Sequence, residues 1–364
     1  MLRRAALVLT ANLDGLLLAF IGVLLGIGMT VLYSASGESF GRISGQLVNI
    51  AVAFTVMWLA AKIPPNHLMR IALPAYLVGL ALLVGVAFFG EITNGARRWL
   101  HIGVTRIQPS ELMKIAVPMT LAWYFHRYEG ALRLHHYAIA GAVLIVPVGL
   151  ILRQPDLGTG LLIAGSGFYV LFLAGLSWRI IGGLALCAIA AGPVVWNLMH
   201  DYQRQRILTL LDPTQDPLGA GYHTIQSTIA VGSGGLAGKG WLHGTQTHLD
   251  FLPERTTDFI FAVYSEEFGL IGNLLLLLLF LAVIGRGLII TANAPTTFAR
   301  LLAGAITLGF FTYAFVNMGM VSGILPVVGV PLPLISYGGT SLLTICLGFG
   351  ILMSIQTHRK LVQT

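Results

Sequence analysis

Charge is what this sequence has least of. Only 10% of its 364 residues are Asp, Glu, Lys or Arg, against about 25% in ordinary soluble chains. The length would allow two or three soluble domains, but so little charge could not solvate their surfaces. Cysteine is almost missing. Cys187 and Cys346 each stand alone inside an apolar run, which excludes a disulfide framework and reads both as small buried hydrophobes. No histidine and serine elbow accompany the acidic residues, so triad hydrolysis is unsupported. The phosphate-cradle pattern is missing as well. In GSGGLAGKG (232–240), Ser233 stands five residues before Gly238 where glycine is needed, and Gly240 follows Lys239 where Ser or Thr is needed. This loop is read as flexible or close-packed, with Lys239 available to an anionic substrate.

Apolar sequence is plentiful. The chain is 56% hydrophobic with a mean hydropathy of +0.83, and runs of about 20 apolar residues, enough to cross a bilayer, recur along it. The fold class expected is an all-α polytopic integral membrane protein. Ten helices fit, at about 14–35, 43–63, 69–90, 109–126, 137–152, 158–176, 178–199, 258–286, 299–323 and 335–356. They form one domain over 1–364, with a large loop at about 200–257 between the seventh and eighth helices. The opening MLRR and the later YSASG imitate a signal peptide, but the run from Leu16 to Tyr33 exceeds the 7–15 residues of a signal core. It is read as an uncleaved first span. The fifth and sixth helices are short, and RQPDLGT between them suggests a broken or tilted pair. No internal repeat is evident.

Basic residues orient the bundle. With both termini in the cytoplasm, the inner side holds 11 Lys and Arg (Arg3, Arg4, Lys62, Arg70, Arg127, Arg133, Arg179, Arg286, Arg300, Arg359 and Lys360) with only Asp14 and Glu129. The inner side then carries +9 and the outer side −2, together the net +7. The basic excess is therefore an orientation signal and implies no nucleic-acid partner. Twelve of the 14 acids fall outside. Because loops held by a rigid scaffold carry function, the working site is expected at the outer face. In the long loop, TIQSTIAV has the makings of a short re-entrant or interfacial helix. Asp212 and Asp216 each precede a proline, so turns are the default there.

Three constellations could carry chemistry. Glu111 and Lys114, in PSELMKIAVP, lie three apart and share a helix face in apolar surroundings. They are either site residues or an ion pair that locks two helices. Arg97, Arg98 and Trp99 follow Asn94-Gly95-Ala96. Two arginines placed against the positive-inside bias suit phosphate recognition, although Trp also anchors at an interface. Asp258 sits where FLPERTT gives way to FIFAV. It could cap the helix that follows, or accept a proton at the membrane surface. Arg255, three residues upstream, is a partner if that turn is helical. Glu266 and Glu267 lie deeper, and one of them is expected to pair with a cation across the bundle.

HDYQRQRI, LLDPTQDPLGAGYHTIQS, GSGGLAGKGWLHGTQ, FLPERTTDFIFAV and GVPLPLISYGGTS together resemble the SEDS family (shape, elongation, division and sporulation), over essentially the whole chain. The HDYQRQR loop and the short N-terminus resemble its elongation branch. The resemblance implies a ten-helix peptidoglycan glycosyltransferase that polymerises lipid II at the outer face of the bacterial cytoplasmic membrane and releases undecaprenyl diphosphate. The family's essential aspartate falls on Asp258, its paired acid and base on Glu111 and Lys114, and its arginine before Trp on Arg98. Partners implied are lipid II, a lipid-linked glycan strand, a class B penicillin-binding protein that supplies transpeptidation, and elongation scaffold proteins. In the expected inverting transfer, Asp258 is the base, and Arg98, Lys114, Lys239 and Arg255 are candidates to stabilise the leaving diphosphate. No cofactor is demanded; a divalent cation, Mg or Mn, is compatible with that role. A lipid II flippase and a non-enzymatic wall-complex scaffold are the rival readings.

Overall fold

The computed structural model describes residues 13–93, 96–102, 105–199, 201–215, 220–248 and 254–358. Arg3, Arg4, Asn94, Gly95, Asp216, Arg359 and Lys360, used in the reading above, lie outside the described residues.

Each of the ten expected spans coincides with a helix. These are α1 (Gly15–Ala35), α2 (Phe40–Ala61), α3 (Pro65–Phe89), α4 (Pro109–Arg127), α5 (Leu134–Arg153), α6 (Leu157–Leu173) and α7 (Trp178–Leu198). After the long loop, which contains α8 (Asp201–Leu211), α9 (Ala220–Ser233) and α10 (Thr245–His248), come α11 (Ile260–Ala292), α12 (Thr297–Val321) and α13 (Gly339–Thr357). Seven of them, α1, α2, α3, α5, α11, α12 and α13, are long and apolar enough to cross a membrane. α6 is shorter, as is the apolar part of α7. α4 carries Glu111 and Lys114 and is walled in by α3, α6, α12 and α13, so its polar groups face protein rather than lipid.

Local sequence explains several boundaries. Asp14 accepts from Leu17 N and caps α1; Asp156 accepts from Thr159 N and caps α6. Pro65 and Pro109 occupy first turns, where a missing N–H costs nothing. Asp14 also pairs with Arg286 of α11, Nη2 to Oδ2 at 2.5 Å; charge sorting had assigned both to the same side.

Two features depart from the expected all-helical pattern. Residues 91–107 form a small antiparallel sheet, β1 (Glu91–Thr93), β2 (Ala96–Ile102) and β3 (Thr105–Ile107), with Glu91 opposite Trp99 and Leu100 opposite Ile107. A short aromatic and β-branched stretch between turns suits strands, but it reads as loop beside such long apolar runs. Second, α11 is broken at Gly269, whose φ of 63° only glycine adopts freely. The break releases the carbonyls of Glu266 and Glu267, which accept from Lys239 N and Gly240 N at 3.0 Å each. Leu270 N and Ile271 N in turn donate to Gly235 O and Leu236 O. The GSGGLAGKG loop is thus close-packed on the broken helix, and each element satisfies the other's backbone, as membrane burial requires. Of the two cysteines, Cys346 is buried but Cys187 is exposed on α7; an apolar helix that faces lipid needs no protein around a small hydrophobe.

Candidate functional site

The PERTTD turn before α11 is held from three directions. Tyr337 N donates to Thr256 O at 2.9 Å. Ser336 Oγ donates to Thr257 O at 2.7 Å. From α12, Asn317 Nδ2 donates to Asp258 O at 2.8 Å and to Val330 O at 2.7 Å. From α2, Arg42 Nη1 donates to Thr256 Oγ1 at 2.6 Å. The irregular segment 322–338 makes this possible by folding inward: Val330, Leu332, Leu334 and Ile335 are buried. At Gly329 a Cβ would stand 3.4 Å from Asp258 Oδ2, so backbone lies directly against the carboxylate.

Asp258 does not cap α11. The helix opens at Ile260, Phe259 holds the cap position, and no side chain makes a cap bond. The capping alternative therefore falls. Burial, reinforced by the like charge of Glu254, pushes the Asp258 carboxyl up to about 6. Removing water disfavours the charged form, and a nearby carboxylate adds to that cost. The result is a carboxylate poised to take a proton near neutrality. Its partner residue Phe259 is stacked by His223 of α9, centroids 5.7 Å apart and planes 16° apart. Burial holds the His223 imidazole below its ordinary range, with Glu254 opposing. His223 Nδ1 is buried with no hydrogen-bond partner among the described residues.

The other sequence candidates divide. Glu111 and Lys114 form an ion pair at 2.7 Å. Thr344 Oγ1 of α13 donates to Glu111 Oε2 at 2.7 Å, and Lys114 Nζ lies 5.2 Å from the centre of the Tyr313 ring. Tyr313 and Asn317 are one turn apart on α12. The pair and the Asp258 turn thus meet α12 through residues one turn apart. A pocket opens beside it, lined by Lys114, Ser166, Phe310, Tyr313, Thr344 and Phe349. The pair ties α4 to α13, and Lys114 faces the pocket.

Lys239 is engaged within the protein. Its ammonium binds Glu266 Oε1 at 2.7 Å and Thr245 Oγ1 at 2.7 Å, while Gln246 N also donates to Glu266. Glu266 is fully buried, so the pair pins the glycine-rich loop to α11. Glu267 accepts from Ser34 Oγ of α1. Arg98 Nη2 donates to Pro155 O at 2.6 Å and its Nε to Gln154 O at 3.4 Å, which moors the sheet on the α5–α6 turn; Arg97 is exposed. Arg255 Nε donates to Ala35 O at 2.7 Å, so its turn reaches the α1–α2 corner.

Sequence reasoning missed Asn317, Arg42 and His223. Asn317 was detectable as a polar residue within an apolar helix. Arg42 carried a signal in its outer-side position. His223 had none, since one histidine in a polar loop is unremarked. Among the described residues no group of three or more His, Cys, Asp or Glu could hold a metal ion, and no step below is routed through one.

A bundle of apolar helices, broken where it carries buried acids, with a raised carboxylate on the turn before the broken helix, defines a polytopic membrane protein. The FtsW/RodA/SpoVE family, described as cell cycle proteins, matches residues 14–361, and the chain belongs to that family. It is 53% identical over 352 residues to the peptidoglycan glycosyltransferase MrdB of Escherichia coli K12, covering 96% of this chain and 95% of that one. It is 32% identical to the peptidoglycan glycosyltransferase RodA of Treponema pallidum, covering 96% and 98%. Among solved structures it resembles a chain of a peptidoglycan synthase complex that coordinates polymerisation and crosslinking, at a TM-score of 0.82 and 32% identity, with 94% and 97% covered. It also resembles the rod-shape-determining protein RodA of Thermus thermophilus, at 0.72 and 27%, with 95% and 97% covered.

Proposed function

We propose that this chain is a peptidoglycan glycosyltransferase of the elongation branch, working at the outer face of the bacterial inner membrane with both termini in the cytoplasm. The observation that carries the reading is the Asp258 carboxyl, raised to about 6 on a turn clamped by three elements. Membership of a family whose relatives bear that enzyme name supports it. The growing strand is the donor, with its reducing sugar on a lipid diphosphate. Lipid II is the acceptor. Asp258 takes the proton of the acceptor's GlcNAc 4-hydroxyl as that oxygen attacks the donor's anomeric carbon. The anomeric bond to diphosphate breaks, configuration inverts from α to β, and undecaprenyl diphosphate leaves. Cations near the leaving group stabilise its growing charge.

The partner is a class B penicillin-binding protein that supplies crosslinking. Likeness to a chain from a synthase complex that coordinates polymerisation and crosslinking supports this assignment. The test is polymerisation of lipid II in detergent by the purified complex. Glycan polymer from the wild type, and its loss in Asp258→Asn with the protein still folded, is the expected result. Full polymer yield from that variant overturns the base assignment. Lipid translocation without polymer would favour a flippase.

A further inference from the structure

Arg42 carries a positive charge that no acid neutralises among the described residues. Lys114 is paired with Glu111, Lys239 with Glu266 and Arg286 with Asp14. A cation already paired must give up its partner before it can neutralise a ligand. Arg42 is different. Its one described side-chain bond is from Nη1 to the neutral hydroxyl of Thr256, at 2.6 Å. The side chain is exposed, and its Nε and Nη2 have no hydrogen-bond partner among the described residues.

That bond sets both position and orientation. Thr256 is buried at 5% exposure, and its carbonyl is fixed by Tyr337 N. It stands two residues before Asp258. Arg42 lies on the first turn of α2, capped by Ser39, so the guanidinium is tied at one end to a rigid helix start and at the other to the turn that carries the base. Holding Nη1 leaves the Nε–Nη2 edge open, which is the edge that binds a phosphate through two parallel hydrogen bonds. A lysine could not be fixed and forked at the same time. The Nε of Arg255, on the same turn, reaches the α1–α2 corner next to this site.

We propose that Arg42 binds the diphosphate of a lipid-linked sugar beside Asp258, with Thr256 fixing the guanidinium in place. The proposal rests on the glycosyltransferase reading for the identity of the sugar carrier, but the diphosphate contact is testable without turnover. Undecaprenyl diphosphate is titrated against the full-length protein in zwitterionic detergent, with undecaprenyl monophosphate alongside. Arg42→Gln is expected to weaken diphosphate binding about tenfold, the value of one lost charge-assisted contact of about 1.4 kcal/mol. Arg42→Lys should recover only part of this, and Thr256→Val should lose less than Arg42→Gln.

Turnover then separates donor from acceptor. KM is measured for a lipid-linked glycan primer at saturating lipid II, and for lipid II at saturating primer; the one that rises in Arg42→Gln names the diphosphate held. Unchanged diphosphate binding in Arg42→Gln overturns the proposal. So does a Thr256→Val effect equal to that of Arg42→Gln, which would make the bond a structural clamp. A loss seen only when phosphatidylglycerol is added overturns it in favour of a lipid headgroup. Binding that depends on Arg42 in a wild-type complex that makes no polymer would leave this contact standing and remove the glycosyltransferase reading.

Discussion

At the residue scale the chemistry turns on what surrounds one carboxyl. As the proposed base, Asp258 must be ionised to accept a proton. With its value at about 6 rather than the ordinary 3.8, activity falls as pH drops through about 6. The acidic limb of kcat/KM for lipid II polymerisation is therefore expected near 6, and Glu254→Gln, by removing the like charge, should move it to lower pH. Asp258→Asn should cut the rate by about 10²–10⁴. The same shift has a cost in stability. The folded state holds its proton up to about 6 and the unfolded chain only to about 4, so stability falls across that window as pH rises. Asp258→Asn should raise the thermal midpoint at pH 7.5, and the gain should vanish below about pH 4. A variant that loses both activity and stability at pH 7.5 would contradict this. Asn317 is the opposite case. It is fully buried and holds the carbonyls of Asp258 and Val330. Asn317→Leu leaves both unsatisfied, at about 1–3 kcal/mol each, and should lower kcat and the thermal midpoint together.

At the element scale the broken helix α11 and the glycine-rich loop behave as one unit. A Cβ at Gly269 would meet Gly238 N at 2.3 Å, and its φ is 63°. Gly269→Ala is therefore expected to open this seam and to reduce the thermal midpoint by more than a typical surface change. The Lys239–Glu266 pair makes a sharper test. Removing one partner of a buried ion pair strands the other charge. Lys239 is 27% exposed, which softens the loss, so Lys239→Met is expected to cost about 2 kcal/mol. The double variant Lys239→Met, Glu266→Leu should recover much of that stability in thermal unfolding. If Lys239 instead serves substrate binding, the double variant would restore stability and leave KM raised. The helices themselves were legible in the apolar runs, but their ends were displaced: α3 starts at Pro65 rather than 69, and α11 runs Ile260–Ala292 rather than 258–286. The sheet at 91–107 and the break at Gly269 were not legible. Both depend on hydrogen bonds to chain far away or across a turn, and neither leaves a periodic trace.

At the scale of the whole molecule the proposed orientation can be checked directly. In a background with Cys187 and Cys346 replaced by alanine, a membrane-impermeant thiol reagent should label Glu38→Cys in intact spheroplasts. It should label Lys62→Cys only after permeabilisation. The reverse pattern would turn the bundle over and put Asp258 on the wrong side for lipid II polymerisation. The proposed reaction requires its site to sit at an edge of the bundle. Substrates with sugars in water and long tails in lipid can reach a base only where both phases meet. A turn at the lip of α11, braced by α2, α12 and the buried 330–336 segment, is such a place.

By itself the sequence determined the membrane class, the ten helices and, through its motifs, the aspartate to examine, and it supplied the charge pattern on which the proposed orientation rests. Those properties are local: apolar length, charge sign and short strings of residues. Only the tertiary structure decided which charges are already spent. Lys239 and Arg98 look equally available along the chain, yet one is committed to an acid and the other to carbonyls once the helices pack. Arg42 stands 216 residues before Asp258 in sequence and meets its turn because α1 packs on α11 and α2 on α13. Neutralisation and burial are set by neighbours in space, and no pattern within one segment records who those neighbours will be.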